Sequence, residues 1–215
     1  MTLIAFPDII NPSNISFGIR SASQAFTSEF TGTSQYVRLP AARWHGSANW
    51  ENLTGDNFDN LKAFITQLEG PFNTFAFGDI SKDTPASELP ATVVLENNAQ
   101  VAAHSTSFTV GRSSSESSSS ITGTKIAFKK GDYFQITSAA GQELKIVTAN
   151  LNLTGNSGTG SVSFSPALRG VVAANTNLIR HAPRAIMRIS NADQTSWNIS
   201  APVIGTFGFS FMESY

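Results

Sequence analysis

The side chains that could perform acid–base or metal chemistry are few in this chain, and they lie far apart. There are three histidines, His45, His104 and His181, and no cysteine. None of the histidines has a carboxylate at the spacing of a metal or catalytic motif, and no H-E-x-x-H, G-x-S-x-G, phosphate-loop or dinucleotide pattern occurs. The sequence therefore predicts a protein that is not an enzyme, with no catalytic residues, no metal ligands and no cofactor.

Two short motifs could contact a phosphate, but each has a more ordinary interpretation. The glycine-rich segment 155–160 lies between two predicted strands rather than before a helix, which favours a hairpin turn. Three lysines, Lys125, Lys129 and Lys130, lie beside a Gly-Asp pair, a pattern typical of a solvated turn. Neither motif predicts a binding site.

Four arginines are concentrated near the end of the middle segment: Arg169, Arg180, Arg184 and Arg188. In a ring of identical subunits, such a group could line a central pore or pair across subunits. We therefore take these four arginines as the candidate oligomer or lumen contacts.

The composition narrows the class of partner. Charged residues make up 13% of the chain, about half of the usual quarter, while 28 Ser, 20 Thr and 16 Asn supply the polarity. A net charge of −1 gives no basic footprint for nucleic-acid recognition or for a membrane patch. The apolar N-terminal run is broken by Pro7 and Asp8, so we expect neither a signal peptide nor a membrane span there.

The strongest structural pattern lies at the C-terminus, where Phe207, Phe209 and Phe211 alternate with small or polar residues. A period of two places all three rings on one face of a strand. The best partners for such a strand lie in the first 80 residues, where short aromatic and β-branched bursts are separated by turn residues. The chain is therefore expected to leave its first domain and return to it.

One amphipathic helix is predicted over about residues 56–69. Its apolar side chains recur at steps of three and four, and Gly70-Pro71 ends it. These side chains are Phe58, Leu61, Phe64, Ile65 and Leu68. The helix is expected to pack against a sheet and to carry no catalytic group.

The predicted fold is all-β and mainly antiparallel, with that single amphipathic helix. Residues 1–85 and 191–215 are expected to form a discontinuous β-sandwich domain, because periodicity is lost between Gly78 and Pro90. Residues 90–190 are expected to form an inserted small β-barrel or sandwich domain. Within this insert, the serine-rich run 113–120 is expected to be an exposed loop.

The order of these elements resembles that of the distal tail proteins of long-tailed siphophages and of gene transfer agents. The resemblance rests on two N-terminal segments, Phe-Thr-Ser-Glu-Phe-Thr-Gly-Thr at 26–33 and Arg-Trp-His-Gly-Ser-Ala-Asn-Trp at 43–50, and on the closing Phe-x-Phe-x-Phe-x-Glu strand. In the insert, segments 130–136, 144–149 and 164–169 are similar to segments of phage tail-tip proteins.

The resemblance implies a structural protein of the virion, assembled in the host cytoplasm. It would form a ring, a homohexamer or a trimer, that joins the tail tube protein to the tail hub and lets DNA pass without sequence readout. Two alternatives remain open. One is a carbohydrate- or receptor-binding module, with the insert binding a host-surface glycan, and the other is the tail tube subunit or a tail-terminator protein.

Overall fold

The computed structural model describes residues 1–7, 11–21, 23–38, 42–113, 120–190, 197–200 and 204–214. Most of the predicted serine-rich loop and residues 191–196, which open the predicted C-terminal segment, lie outside these ranges. The described elements, in chain order, are β1 (Leu3–Ile4), β2 (Asn14–Arg20), β3 (Ser23–Thr27), β4 (Ser34–Arg38), β5 (Arg43–Leu53), α1 (Gly55–Leu68), β6 (Thr74–Phe77), a 3-10 turn (Ile80–Lys82), β7 (Leu95–Asn97), β8 (Ser107–Arg112), β9 (Thr124–Phe128), β10 (Tyr133–Ser138), β11 (Gly141–Val147), β12 (Leu151–Thr154), β13 (Thr159–Ser165), β14 (Asn177–Leu178), β15 (Ala185–Ile189), β16 (Trp197–Ser200) and β17 (Ile204–Glu213).

The chain divides into two compact units. Unit 1 comprises Met1–Phe77 and Ile186–Ser214, and unit 2 comprises Gly78–Ala185. The divisions therefore fall a few residues before the sequence-based boundaries at 85 and 191.

Unit 1 is built on one seven-stranded sheet in the order β1-β6-β15-β17-β5-β2, with β16 also paired to β17. The strand β1 runs parallel to β6, whereas β5 pairs antiparallel with both β17 and β2. The C-terminal strand thus lies beside strands from the start of the chain, as the alternation of its phenylalanines predicts.

The apolar face of this sheet forms the core of unit 1. Phe209 lies opposite Ala48, and Phe211 lies opposite Gly46, whose lack of a side chain leaves room for the ring. Helix α1 covers this face, with Phe64 and Phe75 in edge-to-face contact at 5.5 Å between ring centroids. The predicted helix is confirmed within one residue at each end. The five apolar side chains predicted to face the core are all buried.

Unit 2 contains a six-stranded sheet that curls into a nearly closed barrel. Its strands lie in the order β10-β11-β13-β8-β7-β14. The two ends meet where Gln135 and Ile179 exchange backbone hydrogen bonds, each of 2.9 Å. The strands β9 and β12 form a separate antiparallel pair. The predicted fold class, mainly antiparallel β with one amphipathic helix in the described chain, is confirmed.

Candidate functional site

The hairpin β3–β4 belongs to unit 1, but its large apolar side chains are not buried in the core of that unit. In the described chain, β3 and β4 pair only with each other, from Ser23 opposite Arg38 to Thr27 opposite Ser34. The turn between them is closed by a hydrogen bond from the Ser28 amide to the Thr33 carbonyl at 2.9 Å. The hairpin therefore folds as an arm, supported by its own ladder and turn. We call residues 23–38 the hairpin arm.

This arm exposes large apolar side chains. Phe30, at its tip, is fully exposed, and Tyr36 is 74% exposed. Phe26 and Val37 are 51% and 39% exposed, and the strand register places them on the face opposite to Tyr36. Among the described residues of the arm, both faces carry exposed apolar side chains, and a lone two-stranded hairpin is only marginally stable in water. The arm thus has the properties of a segment that binds another surface.

A second feature of unit 1 is the polar face of its sheet. Four serines form a row across the sheet. On β5, Ser47 stands opposite both Ser16 on β2 and Ser210 on β17, and the amide of Ser190, directly after β15, donates to the Ser210 carbonyl at 3.0 Å. Four residues along β2 and β5 from these serines, the same face carries Arg20 directly opposite Arg43. These side chains border a depression of about 450 Å³, and the described residues that line it include no Asp or Glu. We call this surface the polar sheet face.

Of the four candidate arginines, Arg188 is the one on the polar sheet face. It stands opposite Met212, which stands opposite His45 on β5. Its guanidinium donates a hydrogen bond to the Ser214 hydroxyl. The arginines that share this face, Arg20 and Arg43, were not singled out from the sequence, because only the strand register brings them to it.

Arg180 is not a surface residue of unit 2, which corrects its assignment as a lumen contact. Its side chain is 3% exposed, and it donates hydrogen bonds to the carbonyls of Val93 at 2.7 Å and Pro90 at 3.1 Å. A third hydrogen bond goes to the Ser87 hydroxyl. Burial lowers the pKa of Arg180, and the Asp132 carboxylate opposes that shift. Arg180 therefore fixes the segment that leads into β7.

Arg184 and Arg169 are also engaged within unit 2. The Arg184 guanidinium binds both carboxylate oxygens of Asp83, with 3.0 Å between Nη2 and Oδ2. The Arg169 amide donates to Glu143 at 3.0 Å. Three of the four arginines therefore belong to unit 2, whereas Arg188 belongs to the sheet of unit 1.

A buried ion pair lies inside unit 2. The Lys145 ammonium is 2.7 Å from Glu143, and both side chains are fully buried. Burial by itself raises the pKa of Glu143, but Lys145 and hydrogen bonds from Ser138 and the Arg169 amide outweigh it and lower that pKa. Lys145 also donates to the Ala167 carbonyl at 2.9 Å. The pair thus ties the segment after β13 to β11, a role that the sequence did not indicate.

The remaining sequence motifs have ordinary positions. The segment 155–160 contains the turn between β12 and β13, with a hydrogen bond from the Gly158 amide to the Gly155 carbonyl. The interpretation as a hairpin turn is wrong, because β12 pairs with β9 whereas β13 pairs with β8 and β11. The Lys129 amide donates to Asp132 in a tight turn. His45 is exposed on the polar sheet face, while His104 and His181 are exposed in unit 2.

Within the described ranges, no group of three or more His, Cys, Asp or Glu side chains is placed to hold a metal ion. In the same part of the chain, no helix has both the length and the apolar character needed to cross a bilayer. No protein-family model matches this sequence, and no curated protein matches it either.

Proposed function

We propose that this chain is a structural subunit of a phage tail tip, which assembles with copies of itself into a ring. In this role it joins the tail tube to the central hub and lets DNA pass. The observation that carries the proposal is the hairpin arm, because it exposes large apolar side chains on both of its faces. Aromatic side chains of this kind are enriched in protein–protein interfaces.

The energetics favour burial of the arm. Covering one large apolar side chain contributes about 1.5 to 3 kcal/mol. Phe30 and Tyr36 alone would therefore contribute several kcal/mol to a contact between subunits, before the cost of association. The low content of charged residues acts in the same direction, because charges are depleted at the centre of interfaces.

The test is assembly of the purified chain. Mass photometry and negative-stain electron microscopy of the native protein should show closed rings. The double variant Phe30→Ser/Tyr36→Ser should dissociate to monomers at the same concentration, with an unchanged circular dichroism spectrum. Phe72→Ser is the matched control, since Phe72 is 59% exposed but lies outside the arm. A native protein that stays monomeric at all concentrations, or an arm variant that still forms rings, would refute the proposal.

The alternative functions require other structural features or another copy number per virion. A glycan-binding insert needs exposed rings that stack on sugars. In unit 2, the four phenylalanines are buried, namely Phe108, Phe128, Phe134 and Phe164. Tyr133 is half-buried and bonds to Asp79. A tail tube subunit would be present in many rings per virion, whereas a distal ring protein would be present in one, so the copy number per particle separates these two roles.

A further inference from the structure

The sheet of unit 1 has two margins at which a strand has a partner on one side only. Among the described strands, β2 pairs with β5 alone, and β16 pairs with β17 alone. On the outer side of such a strand, every second residue points its amide and carbonyl away from the sheet. A margin of this kind is a template for pairing with another strand.

Neither margin has the features that usually prevent such pairing. Proteins protect edge strands with lysines, prolines or bulges. The strand β2 reads Asn-Ile-Ser-Phe-Gly-Ile-Arg, and β16 reads Trp-Asn-Ile-Ser. The one charged residue in these two strands is Arg20, at the end of β2. Both margins are therefore suited to pairing.

At the β2 margin, the apolar face of the sheet ends in side chains that are only half-buried. They are Ile15, Phe17 and Ile19, which alternate along the strand. Phe17 stacks on the buried Trp44, with 5.0 Å between the ring centroids, so this row lies on the apolar face. The core of unit 1 is therefore incompletely covered along β2.

At the β16 margin, the same face of the sheet carries exposed apolar side chains. Trp197 stands opposite the buried Phe207, and residues directly opposite in an antiparallel pair share a face. The ammonium of Lys62, on α1, lies 5.7 Å from the centroid of a Trp197 ring. Ile199 follows on the same face by alternation. Trp197 is 38% exposed and Ile199 is 56% exposed.

The strand directions allow the two margins to join between copies. The strands β5 and β16 run in the same direction, because each is antiparallel to β17. The strand β2 runs opposite to β5. A sheet that continues from β2 of one copy to β16 of the next is therefore antiparallel at the junction. Its apolar faces lie on one side, where Trp197 and Ile199 can cover the half-buried row of β2.

We propose that β2 of one copy pairs antiparallel with β16 of the next copy, so that the sheets of unit 1 join head to tail. Contacts between unlike surfaces are heterologous, and their repetition closes into a ring when the rotation permits, whereas pairing of β2 with β2 would end at a dimer. This inference rests on the proposed assembly into a ring and adds the surfaces through which the subunits join. The hairpin arm follows β2 directly, so the arm and the β2 margin contact the same neighbour.

The test is crosslinking between copies of the full chain, which contains no cysteine of its own. Ser16→Cys and Asn198→Cys each place a thiol on an exposed residue of one margin. The two variants are co-expressed, one of them with a size tag, and treated with a bis-maleimide reagent that spans about 7 to 8 Å, the distance between diagonal cross-strand neighbours. Crosslinked dimers should contain one copy of each variant, and either variant alone should give none.

The double variant Ser16→Cys/Asn198→Cys should give a ladder of covalent oligomers larger than a dimer. The matched control replaces Ser16→Cys by Gln67→Cys, an exposed residue of α1 outside both margins. Co-expressed with Asn198→Cys, this control should give no mixed dimer.

A second variant changes the apolar contact itself. Ile199→Lys should weaken self-association by about tenfold or more, because it removes an apolar contact and would bury a charge at the junction. Its circular dichroism spectrum should not change, since Ile199 is exposed in the single chain. The matched control is Ile179→Lys, the same substitution at an isoleucine of unit 2 that is 45% exposed, and it should stay within about twofold of the native association.

The outcomes separate this inference from the proposed function. If the native chain forms rings but Ser16→Cys and Asn198→Cys give no mixed dimer, this inference is overturned and the proposed assembly stands. It is also overturned if Ser16→Cys crosslinks to itself, or if the two lysine variants weaken association equally. A native chain that stays monomeric overturns both proposals. Rings that persist in the Phe30→Ser/Tyr36→Ser variant and still crosslink β2 to β16 would refute the role of the arm and leave this inference intact.

Discussion

Tyr133, at the start of β10, is half-buried beside the carboxylate of Asp79. Burial disfavours the phenolate, and the charge of Asp79 and the hydrogen bond to it act in the same direction, so the pKa of Tyr133 rises to about 12. Since the folded-state pKa lies above the unfolded value of about 10, this tyrosine stabilises the fold fully below pH 10. That contribution is lost as the pH rises from 10 through 12.

We predict that Tyr133 ionises with a pKa of about 12, above the usual value of about 10 for a tyrosine. Absorbance at 295 nm would be followed against pH for the native protein and for Tyr133→Phe, and the difference curve should have its midpoint near pH 12. In Asp79→Asn that midpoint should move down toward 10. A difference curve centred at pH 10, in protein that is still folded by circular dichroism, would contradict the assignment.

At the residue scale, sequence reasoning succeeded where a local pattern determines the environment. The glycine-rich segment 155–160 is an example, because it forms a turn between two strands as predicted, although those two strands do not pair with each other. It failed for Arg180, which looked like one member of a surface cluster but is buried against backbone carbonyls. It also gave no sign of the Glu143–Lys145 pair, because two charged residues in a strand read as solvent-facing until the barrel closes around them.

At the scale of elements, the pairing of β5 with β2 and β17 depends on Gly46. A Cβ added there would meet the backbone oxygen of Ser16 far inside van der Waals contact, and the ring of Phe211 at 2.8 Å. We predict that Gly46→Ala destabilises the protein by about 1 to 3 kcal/mol, the usual cost of overpacking. The measurement is the midpoint of urea unfolding at constant m-value.

The control for this variant is Gly18→Ala, on the neighbouring strand. A Cβ at Gly18 would meet only His45, at an ordinary contact distance of 3.6 Å. This variant should change stability by less than about 0.5 kcal/mol. If the two substitutions cost the same, the close approach at Gly46 is not what positions β5.

From the sequence, the presence of individual strands and of the helix could be predicted more reliably than the register between strands. The period-two phenylalanines near the C-terminus and the three-and-four spacing in α1 predicted both elements and the faces that they bury. From the sequence alone, the exposed hairpin arm could not be distinguished from a buried hairpin. Its strands contain aromatic side chains, Phe26 and Tyr36, of the kind that also fill the core of a sheet. The polar sheet face could not be predicted either, because the serine row can be recognised only when the register between the strands is known.

At the scale of the whole molecule, the chain enters unit 2 and leaves it at points that lie close together. Gly78 lies against Pro183 and Arg184. If Gly78 carried a Cβ, that atom would lie 3.5 Å from the Arg184 Cα. We predict that replacing residues 78–185 by a four-residue Gly-Ser linker leaves unit 1 folded, because β6 and β15 are neighbours in its sheet. The variant should unfold in one cooperative transition by calorimetry. Under the proposed assembly through the arm, it should also still self-associate.

The reciprocal fragment serves as the control. Residues 78–185 have their own apolar core of buried side chains, so the fragment expressed alone should also melt cooperatively and remain monomeric. A deletion variant that is unfolded would show that unit 1 depends on unit 2. If the isolated fragment formed rings, self-association would belong to unit 2, which would contradict the proposed role of the hairpin arm.

The exchange of hydrogen bonds between Gln135 and Ile179 has a consequence for proteostasis. A sheet with a free margin offers unpaired amides and carbonyls that template strand addition by another molecule. In unit 2 the two marginal strands of the six-stranded sheet satisfy each other at this point. We therefore expect this sheet to be a poor template for cross-β aggregation, even where many copies of the chain are present at high concentration.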